Sequence, residues 1–322
     1  MKRIAWLAVA MVAMTAMAAS PLRAQDYPNR PIRVLTTSSA GGLSDMFMRV
    51  LGEELHKSLG QPIVIENRPG GSGNIGVRAC TEAAPDGYTI CIINADPIIY
   101  SPLLYKKKPF EPEKLTPIVN LFHLIQVLVV NSDLKVKTVD ELVAASKAKA
   151  GTFNYLTATL PLAVFMESLK RDRGADWVRV PFKGGGEATN AIVSGTTPIG
   201  LIGLGNVLPQ INSGTMTALV LTNNIRSPQL PDVPTFADIG YTGPPSRTWY
   251  GLFAPAGTPK PIIARINAEV ARVIARPDFA EKYILSRSMV PAIGTPEDFA
   301  RQIDEDRADG VTVFKQSGLE PQ

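Results

Sequence analysis

The 322-residue chain predicts an α/β protein of two lobes. Three observations carry that prediction: a strand and helix unit that repeats over residues 32–93, a second alternating run over 138–221, and a length that suits two units of about 150 residues each.

Residues 1–24 read as a secretory signal peptide. Lys2 and Arg3 precede an apolar stretch over 4–18, and Ala24 offers a small residue for cleavage before Gln25. The apolar part is about 15 residues, short of the roughly 20 that span a bilayer, so an exported soluble product is expected. Losing Lys2, Arg3 and Arg23 takes the formal charge from +4 to +1 for residues 25–322. So neutral a mature protein lacks the electrostatic footprint of a nucleic-acid or anionic-membrane binder.

In the first lobe an apolar run at 32–35 ends in Thr36-Thr37-Ser38-Ser39-Ala40-Gly41-Gly42 before a helix over 44–59. Its inner face is Met46, Phe47, Val50, Leu51 and Leu55, and Gly60 stops it. A strand, a tight loop and a helix N-terminus leave backbone N–H groups uncommitted at the positive end of the helix dipole, where an anion would be held. The functional expectation is a carboxylate on the N–H groups of Ser39, Ala40, Gly41 and Gly42 with the Ser38 and Ser44 hydroxyls. The alternative is an ordinary turn capped by Ser44 or Asp45. Asp45 has the wrong charge to touch an anion and is assigned to bracing the loop and capping the helix.

A strand at 63–66, a glycine-rich loop at 67–73 and a helix over 74–84 follow, then the turn Pro85-Asp86-Gly87 and a strand at 88–93. The continuous apolar runs suit a buried parallel sheet, whose ligands bind beyond the carboxyl ends of the strands, here 38–42, 68–73 and 94–96. Gly71-Ser72-Gly73-Asn74-Ile75-Gly76 matches the dinucleotide fingerprint G-x-G-x-x-G. It lies on the second turn instead of the first, so close packing of a helix entry is the better reading and no cofactor is expected. Cys80 in the helix and Cys91 in the next strand either join in an oxidising compartment or are separately buried small residues.

The segments Tyr27-Pro28-Asn29-Arg30-Pro31-Ile32, Gly41-Gly42 with Asp45, Leu59-Gly60-Gln61-Pro62, Glu66-Asn67-Arg68-Pro69-Gly70, Gly73-Asn74-Ile75-Gly76 and Ala84-Pro85-Asp86-Gly87-Tyr88-Thr89 occur in one order. Arg226-Ser227-Pro228, Leu230-Pro231-Asp232-Val233-Pro234-Thr235, Trp249-Tyr250-Gly251-Leu252 and Ala254-Pro255-Ala256-Gly257-Thr258-Pro259 continue the series. Together they resemble, over nearly all of the mature chain, the periplasmic solute-binding proteins of tripartite tricarboxylate transporters, the Bug family. The resemblance implies a type II-like periplasmic binding protein fold. Each lobe is a mixed, mostly parallel sheet flanked by helices, with a ligand cleft between them. It implies a periplasmic, monomeric protein that closes on a small carboxylate and delivers it to membrane permease subunits. Signalling of the same ligand to a membrane sensor is an open alternative.

An apolar run at 124–130 carries the chain into lobe two, which places lobe one at 25–125 plus 246–322 and lobe two at 126–245. Helices are expected near 138–149, 162–170, 187–194 and 207–213, and strands near 153–155, 177–181, 199–202 and 216–221. Lobe two then offers loops at 156–161, 182–186 and 203–206 to the cleft. A return crossing over 248–254 leads to helices after Pro259, Pro277 and Pro296 that pack back on lobe one.

Departures from the family pattern bear on specificity. Ala40 stands where the family has proline, and Leu156-Thr157-Ala158-Thr159-Leu160-Pro161-Leu162 replaces a glycine- and serine-rich loop that often ends in histidine. Phe182 replaces a tyrosine before Lys183, and Gly200 replaces an aspartate. These changes favour an aromatic carboxylate over a small polar dicarboxylate. Thr157 and Thr159 reach the carboxylate or its waters from lobe two, while Asn94, Gly205, Asn206 and Lys183 orient the far end. Lys183 is equally read as a solvated surface lysine. Arg247 is a counter-charge for a second carboxylate or one half of a surface ion pair. Trp249 and Tyr250 either line the cleft or pack in the hinge. Only His56 and His123 exist, neither beside an obvious nucleophile, and no cysteine and histidine cluster has metal spacing, so an enzyme is not expected.

Overall fold

The computed structural model describes residues 27–157, 159–180, 185–244 and 246–321. The segment 1–24, Phe182 and Lys183 lie outside the described residues.

The chain opens with β1 (Ile32–Thr36), α1 (Leu43–Leu59), β2 (Ile63–Asn67), α2 (Asn74–Thr81) and β3 (Thr89–Asn94), the expected repeat. The burial of Phe47, Met48, Leu51 and Leu55 against the sheet holds α1 in place, at about 1.5–3 kcal/mol for each side chain. Gly60 ends the helix at φ 70°, and its N–H donates to the His56 carbonyl at 2.9 Å. Two short helices that the periodicity did not signal, α3 (Ala95–Ile99) and α4 (Ser101–Leu104), follow β3 directly. Their five and four residues are too few to show a 3.6-residue period.

The apolar run at 124–130 is divided between two strands, β4 (Leu115–Leu124) and β5 (Gln126–Asn131), with Ile125 at the passage. Next come α5 (Val139–Ala148), β6 (Asn154–Thr157), α6 (Leu160–Arg173), β7 (Val178–Arg179), α7 (Gly185–Val193), β8 (Ile199–Gly203), α8 (Leu204–Asn212) and β9 (Met216–Leu221). The return strand is β10 (Thr248–Pro255). It leads to α9 (Lys260–Ile274), α10 (Pro277–Tyr283), β11 (Met289–Pro291) and α11 (Pro296–Ser317). Thr295 and Asp298 cap α11 reciprocally, each side chain bonding the other's backbone N–H.

One sheet has the order β11-β4-β10-β3-β1-β2 and the other β7-β6-β8-β5-β9. Parallel pairing is confined to β1 with β2 and β3, and to β6 with β7 and β8. The strands nearest the passage, β4, β5 and β10, pair only antiparallel, because a chain that leaves one sheet and returns to it enters from the opposite end. The sheets are therefore mixed, and the expected parallel majority holds only away from the passage.

Four apolar clusters fill the two faces of each sheet. Cys80 and Cys91 are joined by a disulfide across Cα atoms 6.2 Å apart, tying α2 to β3 within the first lobe. At the passage the buried Gln126 side chain accepts hydrogen bonds from the Ser246 and Thr248 hydroxyls at 2.8 and 3.1 Å. Its carbonyl accepts from the Thr222 N–H at 3.0 Å, so one residue ties the outgoing strand to both segments of the returning chain.

Candidate functional site

The strand registers decide where a ligand can sit. Asn94, at the carboxyl end of β3, pairs with Tyr250, two residues inside the returning strand, and Gly203, at the carboxyl end of β8, pairs with Gln126 at the passage. β1 runs parallel to β3, and β6 parallel to β8, so the carboxyl ends of both parallel sets face the passage from opposite sides. That opposition makes a cleft between the lobes.

On the first lobe the ring of loops is closely fitted. A Cβ on Gly73 would lie 3.5 Å from both Thr37 and Pro97, which brings the loops after β1, β2 and β3 together. A Cβ on Gly76 would meet the Arg68 carbonyl at 2.9 Å, so these glycines of the G-x-G-x-x-G stretch serve close packing.

The loop after β1 is tied down by its own polar groups. The Ser38 and Ser44 hydroxyls are 2.7 Å apart, and the buried Thr36 hydroxyl bonds both and accepts the Ser38 N–H at 3.1 Å. Asp45 is 2% exposed and accepts from the Gly41 N–H at 2.9 Å, from Arg49 at 2.8 and 3.1 Å and from Asn67 at 3.0 Å. Those bonds, that of Arg49 foremost, hold its carboxyl below the ordinary aspartate range. Asp45 therefore braces the loop. The bracing also corrects the expected anion donors: the Gly41 N–H is taken by Asp45, and the Gly42 N–H donates to the Ser39 carbonyl at 3.0 Å. The exposed Ser39 and Ala40 keep N–H groups without a partner among the described residues, beside an α1 whose Gly42 N-cap has no capping side chain. A Cβ on Gly42 would press within 2.8 Å of the Ser38 hydroxyl, so a larger residue there must push the Ser38 side chain aside.

The second lobe presents the opposite situation. Thr157 ends β6 and Thr159 is the N-cap of α6, at 2% and 6% exposure, and neither hydroxyl has a hydrogen-bond partner among the described residues. A capping hydroxyl takes the N–H of the second or third helical residue; Pro161 at the second position has none, and Thr159 does not bond the N–H of Leu162 at the third. Two buried orphan hydroxyls cost about 1–3 kcal/mol each and mark positions awaiting a partner.

The remaining candidates separate. Asn94 is half-buried at the cleft end of β3 with no capping bond from its side chain. Asn206 is exposed in the first turn of α8, and Gly205 lies where a Cβ would meet the Arg287 carbonyl at 2.7 Å, which makes it a contact between the lobes. Arg247 gives its guanidinium to Asp306 at 2.8 Å and Asp309 at 2.9 Å, so its charge is already offset and it is not a spare counter-charge. Trp249 is fully buried and donates to Asp306 at 2.7 Å, which assigns it to hinge packing. Tyr250 is half-buried and stacks near Phe122, with burial pushing its phenol up to about 12.

Two departures taken as signs of an aromatic ligand belong to the core instead. Leu162 is fully buried among the apolar side chains of lobe two, and a Cβ on Gly200 would run into Ile192. Neither residue faces the cleft, so neither carries information about the solute.

Asp96 was not singled out in the sequence. It stands in α3 just past β3, and burial pushes its carboxyl up to about 6. The available signal was its position, within the ring of residues beyond a parallel strand. His123, at the cleft end of β4, is held down to about 4 by burial first and by the Arg247 charge second.

The family model described as the tripartite tricarboxylate transporter family receptor matches residues 47–319. The protein BugT of Bordetella pertussis (strain Tohama I) is 31% identical over 308 residues, covering 94% of each chain. Among solved structures, an R. palustris protein with adipate superposes at a TM-score of 0.79 with 26% identity, over 92% of this chain and 100% of the other. MatC from Rhodopseudomonas palustris with bound malate superposes at 0.73 with 28% identity, over 89% and 100%. The periplasmic binding protein BugD superposes at 0.75 with 28% identity, over 92% and 100%.

Proposed function

The chain belongs to the tripartite tricarboxylate transporter receptor family, the periplasmic solute-binding proteins that include BugT and BugD, and from that premise we propose that it captures a small carboxylate between its lobes and passes it to membrane permease subunits. The observation that carries this reading is the pair of buried, unpartnered hydroxyls on Thr157 and Thr159, across the passage from a loop that keeps the Ser39 and Ala40 N–H groups open. A carboxylate oxygen is an acceptor for both sets, and charge-assisted bonds of this kind contribute about 1.5–3 kcal/mol each. The adipate and malate bound by two structural neighbours support the ligand class.

A ligand that touches both lobes binds the closed arrangement better than the open one, and only that difference drives closure. The protein performs no chemistry on the solute in this reading.

A thermal-shift screen of the chain without residues 1–24, against aliphatic and aromatic carboxylates, acidic amino acids and NAD, tests it. A ligand at a hundred times its Kd raises stability by about 2.7 kcal/mol, a shift of several degrees. Stabilisation by a carboxylate supports the reading. Stabilisation by NAD alone overturns it and returns the second glycine loop as a nucleotide site.

A further inference from the structure

The cleft end of lobe one contains one carboxyl group that the fold leaves alone. Asp45 accepts from three residues and Asp306 from Arg247 and Trp249, whereas the side chain of Asp96 has no hydrogen bond or ion pair among the described residues. It is neither a sealed core residue nor an exposed one: it keeps partial access to solvent yet is surrounded by protein, as a group at the foot of a crevice is.

Its neighbours are fixed by the loops already described. The adjoining Pro97, and Thr37 at the start of the loop that leads to Ser39 and Ala40, both lie 3.5 Å from a Cβ placed on Gly73, so the backbone next to Asp96 packs near the start of that loop. β1 and β3 are paired directly, about 4.8 Å apart. The titratable groups that face Asp96 are the phenols of Tyr100 from the end of α3 and Tyr250 from β10, both pushed up in part by its charge. Arg247, whose charge reaches Tyr100, is itself held by Asp306 and Asp309. Among the described residues no cation pairs with Asp96.

A lone carboxylate next to a site for a carboxylate repels a second acidic group on the ligand and attracts a cation. We propose that Asp96 determines specificity by accepting a hydrogen bond from an ammonium group of the solute, so that the cleft selects an amino carboxylate over a dicarboxylate. The proposal rests on the reading of the cleft as a carboxylate site. The ligand's carboxylate goes to the Ser39 and Ala40 loop and the Thr157 and Thr159 hydroxyls, and its ammonium goes to Asp96.

Isothermal titration at neutral pH tests the assignment with glutamate, phenylalanine, γ-aminobutyrate and δ-aminovalerate, each set beside glutarate, adipate and phenylacetate. The expected result is binding of at least one amino carboxylate and weaker or no binding of the acids that lack nitrogen. Asp96→Asn should weaken that amino carboxylate by about tenfold to a hundredfold, and Asp96→Glu, which keeps the charge, should recover part of the loss. Tighter binding of the dicarboxylates, absence of binding by every amino carboxylate, or an unchanged preference in a folded Asp96→Asn protein overturns the proposal. Gly42→Asp separates this failure from failure of the cleft reading. If a Gly42→Asp protein with native circular dichroism loses all binding while Asp96→Asn alters no preference, the cleft stands and the Asp96 assignment falls. If Gly42→Asp leaves binding intact, the cleft reading itself falls, and the Asp96 assignment with it.

Discussion

The loop after β1 and the entry to α6 face each other across the passage and are built in opposite ways. In the first, Thr36, Ser38, Ser44, Asp45 and Asn67 satisfy one another, so the loop is rigid before any solute arrives. In the second, Thr157 and Thr159 are buried with their hydroxyls unpartnered. One half of the cleft is organised by the protein, and in the proposed reading the other takes its partners from the ligand. The difference teaches that stability and affinity are separable here: damage to the loop after β1 should reduce both, and loss of the Thr157 or Thr159 hydroxyl should reduce affinity alone.

The largest expected effect is on the organised half. Gly42→Asp puts a side chain into the Ser38 hydroxyl and a negative charge into the anion site, and should abolish ligand-induced thermal shift while circular dichroism stays native. A folded Gly42→Asp protein that binds normally would remove this loop from the site. Next comes Asp45→Ala, which strips the Gly41 N–H, Arg49 and Asn67 of their acceptor. It should cost about 2–4 kcal/mol, several degrees of melting temperature, together with most of the affinity.

The pH dependence of lobe one comes third. His123 is neutral in the fold at its value of about 4 and titrates at 6.5 when unfolded, so the unfolded chain binds the extra proton between those limits. Its contribution to stability is complete above pH 6.5 and is lost as pH falls towards 4, by at most about 1.4 kcal/mol for each pH unit. Asp96 has the opposite sign: its raised carboxyl, at about 6 against 3.8, makes the fold relatively more stable as pH falls through 6. Urea titrations should therefore show a steeper acid loss in Asp96→Asn than in the wild type, and a gain in stability at pH 7 from removing an uncompensated buried charge.

The smallest effect sharpens the comparison most. Thr157→Val and Thr159→Val should each leave the melting temperature of the free protein unchanged or slightly raised, because no internal bond is lost, while weakening the ligand by about tenfold. A fall in the stability of the free protein would show that these hydroxyls already have partners, and would erase the contrast between the lobes.

Much of this arrangement was legible in the chain. The period of the apolar residues, the helix stop at Gly60 and the helix starts at Pro277 and Pro296 are local signals, and local chemistry sets them. Asp45 braces the loop as read, because a carboxylate in the first turn has the Gly41 N–H within reach, but it does not cap the helix, whose N-cap Gly42 has no side-chain cap bond. What could not be read depended on distant partners. Arg247 meets Asp306 and Asp309 some sixty residues away, Leu162 and Gly200 turn out to face a core, and the isolation of Asp96 is a property of everything around it. The α3 and α4 turns and the split of the apolar run at Ile125 were missed for a similar reason, since tertiary packing and not periodicity decides them.

The placement of β10 between β3 and β4 governs the order in which the protein can be assembled. Strands β5 to β9 are contiguous along the chain and can pair as soon as they have been made. The first sheet cannot, because its third strand in spatial order begins at Thr248, long after β3 and β4 exist. Until then β3 and β4 each present an unpaired edge, and the half of the molecule that begins the chain is the half completed last. The segment that closes this gap also carries Thr248 to the Gln126 side chain, so completion of the first sheet and formation of the tie between the lobes are one event.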